Sequence, residues 1–363
     1  MIPISKPLIN KKEIEAVTAV LKTGYIVQGT KTIELENKFV KLTGAKYSVA
    51  VNSGTAALHT ALYSIGISKG DEVITTPFTF IATVNSILMV GARPVFVDID
   101  EKSFNLDPNK IESAITRKTR AILVVNLYGQ PANYDAINKI AQQNKLLVVE
   151  DAAQSVNAEY KNIKSGNLAD TACFSFYATK NIMCGEGGMI TTNNGEYFGI
   201  ATKFRNHGQD ENVKYEYHHL GYNYRLMDLQ AAIALIQLKR LFIISRKRQQ
   251  IAQKYNLAFR NIKGLIIPYK AEDTTHVYHQ YTLRITKEFK LTRDELKKYL
   301  ESKGIQSNIY YPKPLYYFNH LKQFKSDVCD ITERISKEVL SIPIHPLLNN
   351  KEINYVINSI TSI

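Results

Sequence analysis

From residue 47 to residue 151 short apolar runs alternate with helical stretches, and this alternation constrains the fold more than any other feature. Residues 47–51 read as a strand and 56–65 as a helix stopped by Gly66. Residues 72–76 form the next strand, ended by Pro77, and 81–90 the next helix, ended by Gly91. The pattern repeats through strand 94–97, helix 108–116, strand 121–125, helix 134–144 and strand 146–149, which runs into Glu150 and Asp151. The runs are apolar throughout rather than every second residue, so each strand is expected to be covered on both faces. That is the signature of a mostly parallel sheet between helices, an α/β domain.

The pattern changes after about residue 225. Leu229, Ile233, Ile236 and Leu241 recur at helical spacing over 227–262, which predicts one or two long helices. Beyond Gly264 a strand at 280–285 mixes with helices at 292–302, 328–339 and 351–360. These readings predict a large domain over 1–240 and a smaller α+β domain over 241–363. A chain of 363 residues is long enough for both.

Charge and cysteine exclude several classes. The net charge of +13 invites nucleic acid, but no zinc finger, RNP-like aromatic motif or helix-turn-helix accompanies it. Lys239-Arg240 and Arg246-Lys247-Arg248 read as a solvated helix face. Cys173, Cys184 and Cys329 form no CxxC pair, so neither a disulfide framework nor structural zinc is expected, and no metal site is read. The longest apolar runs are strand-sized, far below the roughly 20 residues of a membrane span. Met1–Pro7 carries no signal-peptide pattern, and a cytoplasmic protein is expected.

Three segments carry chemistry. Asn52-Ser53-Gly54-Thr55 lies where a strand turns into a helix. Free N–H groups and partial positive charge at a helix start suit a phosphate, although an ordinary N-cap is the competing reading. Asp151 ends a buried strand, where α/β proteins bind ligands, and a protonated ring nitrogen would satisfy it; Gln154 could reach the same ligand. Lys180 follows the aromatic run 173–177, which contains Ser175, and precedes the Gly-rich turn 185–188. Burial would lower its pKa, as Schiff-base chemistry requires. Phosphate loop, strand-end acid and isolated lysine, in that order, are the parts pyridoxal phosphate needs.

With these motifs the sequence resembles the DegT-type sugar aminotransferases of the fold-type-I pyridoxal-phosphate enzymes. The resemblance runs from Ile4-Ser5-Lys6-Pro7 and the segment 24–29 to Ile342-Pro343-Ile344-His345-Pro346. It implies that Lys180 carries the cofactor and moves the proton, Asp151 holds the pyridine nitrogen protonated, and Gln154 lies beside the ring hydroxyl. Ser53, Gly54, Thr55 and Ser175 take the phosphate positions, and Phe80 the position stacked on the ring, unless it is a core residue. Asn223, in Gly221-Tyr222-Asn223-Tyr224-Arg225, matches a residue that reaches the phosphate of a neighbouring subunit, so a homodimer with shared sites is implied.

The presence of lysine at 180, where dehydratases of the family carry histidine, favours transamination. The segments 184–189 and 221–225 are more similar to perosamine-synthase-like members acting on 4-keto sugars than to 3-keto enzymes. The expected activity is therefore conversion of a nucleotide-linked keto-sugar to an amino-sugar, with glutamate as donor and ping-pong kinetics, for surface polysaccharide or glycan synthesis. Aminocyclitol transamination, dehydration and a non-catalytic regulator are the alternatives. Lys6, Arg205 and Arg225 are candidates for the diphosphate, and Tyr310 and Tyr311 for sugar or base. His207 and His345 stay undecided, and Cys184 reads as a packing residue.

Overall fold

The computed structural model describes residues 1–210, 213, 215–217, 219–325 and 329–363. The apolar runs form a seven-stranded sheet in the order Tyr47–Val51, Gly188–Thr192, Thr171–Ser175, Leu147–Asp151, Thr119–Val125, Glu72–Thr75, Arg93–Phe96. Gly188–Thr192 runs antiparallel to both neighbours, and the remaining pairings are parallel. The apolar runs of the central strands, residues 121–125 and 148–149, are buried throughout, as coverage on both faces requires, while Arg120 is exposed at the strand start.

Helices Gly54–Ser64 and Ile81–Met89 pack on this sheet. Two helices that the sequence reading did not single out, Lys11–Thr23 and Thr30–Thr43, lie against Asp228–Lys239. The Asp228 carboxylate ties these segments together, accepting from the amides of Gly29, Lys31 and Thr32 at 2.8, 3.0 and 2.9 Å.

The predicted helix over 108–116 is replaced by two single 3-10 turns, Pro108–Lys110 and Glu112–Ala114. Asp107 caps the first turn with Pro108 at its start, but Ile111 is the only residue between 108 and 114 that is buried. With one apolar anchor the stretch has no stripe to lay on the core, and the backbone returns to extended geometry at Ile115. The helix expected over 328–339 spans Asp330–Glu338; Val328 lies outside the described residues, and Val339 opens the strand Val339–Ile342 instead.

The long helical pattern breaks at Arg240 into Asp228–Lys239 and Leu241–Phe259. Past this break a separate core gathers residues of Leu241–Phe259, a small antiparallel sheet (Leu265–Ile266, Tyr281–Ile285, Val339–Ile342) and helices Arg293–Ser302 and Asn350–Thr361. We propose Arg240 as the domain boundary. Ile2 nevertheless pairs with Ile305 and packs in the second core, so the first residues of the chain lie with its last third.

Arg248 departs from the expected solvated face. It is buried, and its Nη1 donates to the carbonyls of Tyr278, His279 and Ile344 at 3.1, 3.2 and 2.8 Å. Arg246 and Lys247 remain exposed.

One buried acid has consequences for stability. Glu150 points to the opposite face of its strand from Asp151, into a closed nest where its carboxylate accepts from Asn126 Nδ2 at 2.8 Å, the Gly166 amide at 2.9 Å and the Ser165 hydroxyl. Burial pushes its pKa up from 4.5 to about 7, against the pull of those donors. A folded-state pKa above the unfolded one means the folded chain binds the proton more tightly. The stabilising contribution is therefore fully present below pH 4.5 and is lost as pH rises through 7, on the order of 3 kcal/mol. Glu150→Gln, which cannot titrate, should give a melting temperature with a flatter fall between about pH 5 and 8 than the wild type. Parallel profiles would show that Glu150 does not titrate there.

Candidate active site

All six parallel strands deliver their carboxyl ends to one edge of the sheet, and the antiparallel strand brings Gly188 to the same edge. The loops leaving that edge enclose a cavity of about 810 Å³. It is lined by Ser53, Gly54, Thr55, Phe80, Asp151, Gln154, Ser175, Lys180, Tyr310 and Tyr311, so the structure brings ten of the sequence-derived residues together.

Tyr47–Val51 turns directly into Gly54–Ser64, with Ser53 as the cap whose Oγ accepts from the Ala56 amide at 3.0 Å. A helix leaves its first amides unpaired, so those of Gly54 and Thr55 are available to a ligand. Gly54 is required by proximity: a Cβ there would stand 2.8 Å from the Cβ of Ser175. The helix start and the end of strand Thr171–Ser175 thus form one cradle, sized and charged for an anion.

Asp151 ends the central strand Leu147–Asp151 and is buried, at 5% exposure. Its Oδ2 accepts from the Thr83 hydroxyl at 2.8 Å, which in turn is 2.9 Å from the Thr79 hydroxyl, and its Oδ1 accepts from the Ala153 amide at 3.2 Å. Burial pushes its carboxyl above the ordinary value, while these donors and the positive charge of Lys180 pull it back. No described cation hydrogen-bonds it.

Lys180 follows the strand on a tight turn, its amide donating to the Tyr177 carbonyl at 2.8 Å. It is half-buried because it faces the cavity. Burial lowers its pKa to about 8, and the negative charge of Asp151 pulls the other way. Phe80 stands 56% exposed on the cavity wall, 6.4 Å from the Tyr311 ring. It is not a core phenylalanine. Gln154 is fixed by its Oε1, which accepts from the Tyr128 amide at 2.8 Å, and its Nε2 lies 3.4 Å from the Tyr311 hydroxyl.

The other candidates lie elsewhere. Arg205 is buried, with Nη1 on the Glu36 carboxylate and 2.8 Å from the Ala50 carbonyl, so its charge is used inside the fold and we withdraw it as a diphosphate ligand. Lys6 is exposed and lines neither this cavity nor the one beside it. Asn223 and Arg225 line that neighbouring cavity of about 530 Å³, which shares Ser53 and Glu186 with the first. They reach it because the Asn52 amide donates to the Tyr224 carbonyl at 2.8 Å, while Arg225 Nη1 donates to Asn206 Oδ1 at 2.7 Å. His207 is exposed, His345 is buried, and the buried Cys184 thiol donates to the Glu186 carbonyl at 3.1 Å, a packing position.

The sequence reading missed Thr83, His279, Glu186 and Lys313. A threonine in the first turn of a helix that follows a strand end was a usable signal for Thr83. None existed for His279, which arrives from the distant segment 276–280. That segment docks on the turn at Gly129 (φ +101°), where a Cβ would stand 2.8 Å from Val277 Cγ2 and 3.0 Å from the His279 amide nitrogen. His279 is buried, and its Nδ1 has no partner.

These residues fit pyridoxal phosphate. A buried acid without a bonded cation suits a protonated ring nitrogen, the Gly54–Ser175 cradle suits the phosphate, and the exposed Phe80 ring lines the same cavity. Fold and site together define a pyridoxal-phosphate-dependent aminotransferase. The model of the DegT/DnrJ/EryC1/StrS aminotransferase family matches residues 7–361, and the chain belongs to that family.

Among its relatives, the spore coat polysaccharide biosynthesis protein SpsC of Bacillus subtilis is 39% identical over 100% of this chain and 97% of its own. GDP-perosamine synthase of Caulobacter vibrioides is 37% identical over 100% and 98%. The UDP-2-acetamido-2-deoxy-3-oxo-D-glucuronate aminotransferase of Pseudomonas aeruginosa is also 37% identical, over 97% and 96%. Of solved structures, Helicobacter pylori PseC, an aminotransferase of pseudoaminic acid biosynthesis, superposes with a TM-score of 0.95 at 28% identity, covering 99% and 98% of the two chains. Spr1654 of Streptococcus pneumoniae, solved in its PLP form, gives 0.94 at 29% identity, covering 99% and 98%. The protein is a sugar aminotransferase. No helix among the described residues is long and apolar enough to cross a membrane.

The mutual field of Asp151 and Lys180 can be read in the apoprotein. The reactivity of Lys180 toward an amine-acylating reagent, followed by mass spectrometry, should titrate near pH 8. Asp151→Asn removes the anion that favours the ammonium and should move the midpoint lower. A midpoint that stays put would mean the two groups do not feel each other.

Proposed function

We propose that this enzyme converts a nucleotide-linked keto-sugar, with the 4-keto form favoured, to the corresponding amino-sugar, using glutamate as amino donor. The observation that carries the reading is Lys180, its pKa lowered to about 8, in one cavity with the buried acid Asp151. The bound cofactor supplies an electron sink that stabilises negative charge on the carbon losing its proton. The protein's part is to hold and to move protons. Asp151 keeps the ring nitrogen protonated, and Thr83 orients that carboxylate. Ser53, Gly54, Thr55 and Ser175 would hold the cofactor's phosphate, Phe80 would stack on its ring and Gln154 would reach its hydroxyl, all six lining one cavity. Lys180 Nζ takes the proton from the donor carbon in its neutral form, whose share a pKa of about 8 raises from a trace to about a tenth at pH 7.

Nucleotide linkage is supported by the GDP- and UDP-sugar activities in the names of two relatives, and a role in surface polysaccharide synthesis by the name of a third. The 4-keto preference rests on the segments 184–189 and 221–225; the relative named for a 3-oxo sugar is equally identical to this chain. Purified protein with added cofactor should absorb in the visible, glutamate should bleach the band, and Lys180→Ala should abolish it. A glutamate-dependent panel of UDP-, GDP- and dTDP-linked 4-keto and 3-keto sugars then tests the substrate. An empty wild-type spectrum rejects the enzyme reading, and turnover confined to 3-keto sugars rejects the 4-keto one.

The working unit in this proposal is a homodimer. Tyr25, Val27, Leu220 and Met227 are exposed at 82%, 63%, 65% and 41%, and Val27 and Met227 line the neighbouring cavity with Asn223. An apolar rim of that kind suits a second copy, whose phosphate Asn223 would reach. Mixing Asn223→Ala with Lys180→Ala chains should then restore one cofactor site per heterodimer with wild-type affinity. No recovery in the mixture would place Asn223 at its own chain's site.

A further inference from the structure

Lys313 is singled out by the charge inventory of the cavity. Its lining contains two cations among the described residues, Lys180 and Lys313, and two carboxylates, Asp151 and Glu186. Lys180 serves the cofactor and the proton. A nucleotide-linked sugar adds a diphosphate that bears at least two negative charges. Left facing Asp151 and Glu186 with no cation from this chain, that diphosphate would be repelled from the place where its sugar must react.

Lys313 is built into a rigid piece of wall. It stands between Pro312 and Pro314, whose rings fix their own backbone angles. The next residue, Leu315, is buried, and its amide donates to the Pro77 carbonyl at 3.0 Å, tying this segment to the loop that carries Phe80. Leu315 and Tyr316 pack in a cluster with Phe96 and Val84. The Lys313 side chain is exposed, with its Nζ 4.4 Å from the centroid of the Phe318 ring, which also lines the cavity. A cation over an aromatic face keeps its charge while losing side-chain freedom, so less entropy is lost when an anion arrives. An exposed position at the mouth also suits the substrate's shape. The reacting carbon must reach Lys180, and the diphosphate trails outward from the sugar.

We propose that Lys313 is a specificity-determining residue that binds the diphosphate of the nucleotide-linked acceptor sugar at the cavity mouth. The inference rests on the nucleotide-sugar reading of the site. It separates the two substrates: the acceptor depends on Lys313 and the donor, which lacks a diphosphate, does not.

The test uses the cofactor-loaded enzyme, Lys313→Ala, Lys313→Arg and the control Lys325→Ala. Lys325 is exposed, with its Nζ 5.8 Å from the Tyr317 ring, and lies outside the cavity. Titration calorimetry with UDP, GDP and dTDP, and KM for the keto-sugar identified by the substrate panel, should both weaken by about tenfold in Lys313→Ala, as expected for loss of one charge-assisted contact. Lys313→Arg should recover most of the loss, and Lys325→Ala should behave as wild type. Bleaching by glutamate should keep its wild-type rate in all variants, and added salt should weaken nucleotide binding less in Lys313→Ala than in wild type. Unchanged nucleotide affinity in Lys313→Ala, or an equal loss in the glutamate reaction, overturns the inference alone. A wild-type enzyme that binds no nucleoside diphosphate and turns over only unlinked sugars overturns the nucleotide-sugar reading and this inference together.

Discussion

Everything about this site depends on placing an acid where water cannot solvate it and then giving it a reason to stay charged. Asp151 is buried at the end of the central strand, and burial alone drives its carboxyl toward the neutral form. The Thr83 hydroxyl, the Ala153 amide and the nearby Lys180 charge oppose that drive. The same burial pushes Lys180 toward its neutral amine while Asp151 pulls it back. Opposing influences thus act on each group, and a protonated ring nitrogen beside the acid would favour Asp151 as a carboxylate and leave the lysine to act as a base.

That balance requires accurate placement, which the sheet supplies. Loops from distant parts of the sequence meet because their strands end at a common edge, and the lone antiparallel strand brings the Gly-rich turn there too. The residues near the second core complete the enclosure. Arg248 pins the 276–280 segment through the carbonyls of Tyr278 and His279 and ties it to the Ile344 carbonyl, at the cost of burying a guanidinium whose pKa falls to about 10. Such a residue fastens loops around the second core, and its charge contributes nothing to an outer basic face.

Glu150 and Asp151 show how strongly this placement discriminates. They are consecutive on one strand and therefore point to opposite faces. One enters a nest of Asn126, Ser165 and a backbone amide that closes on itself; the other enters a cavity open to ligands. The same chemical group, one residue apart, is closed off inside the fold on one side and faces the ligand cavity on the other.

The sequence by itself determined the parallel core, the capped helix start at Ser53–Gly54, the strand-end acid and the isolated lysine. Each of these is written in residues adjacent along the chain: strand periodicity, a Ser-Gly-Thr turn, an acid after an apolar run. What required the fold was every property that depends on who stands opposite. Arg205 and Arg248 read as free charges and are buried in partnerships with residues far away in sequence. Thr83, His279 and Lys313 gain their meaning from a cavity to which residues over 250 positions apart contribute. The helix foreseen at 108–116 failed for the same reason, because a local pattern persists only where tertiary packing offers an apolar surface to receive it. Local sequence names the groups that can do chemistry; long-range packing decides which of them are left unpaired to do it.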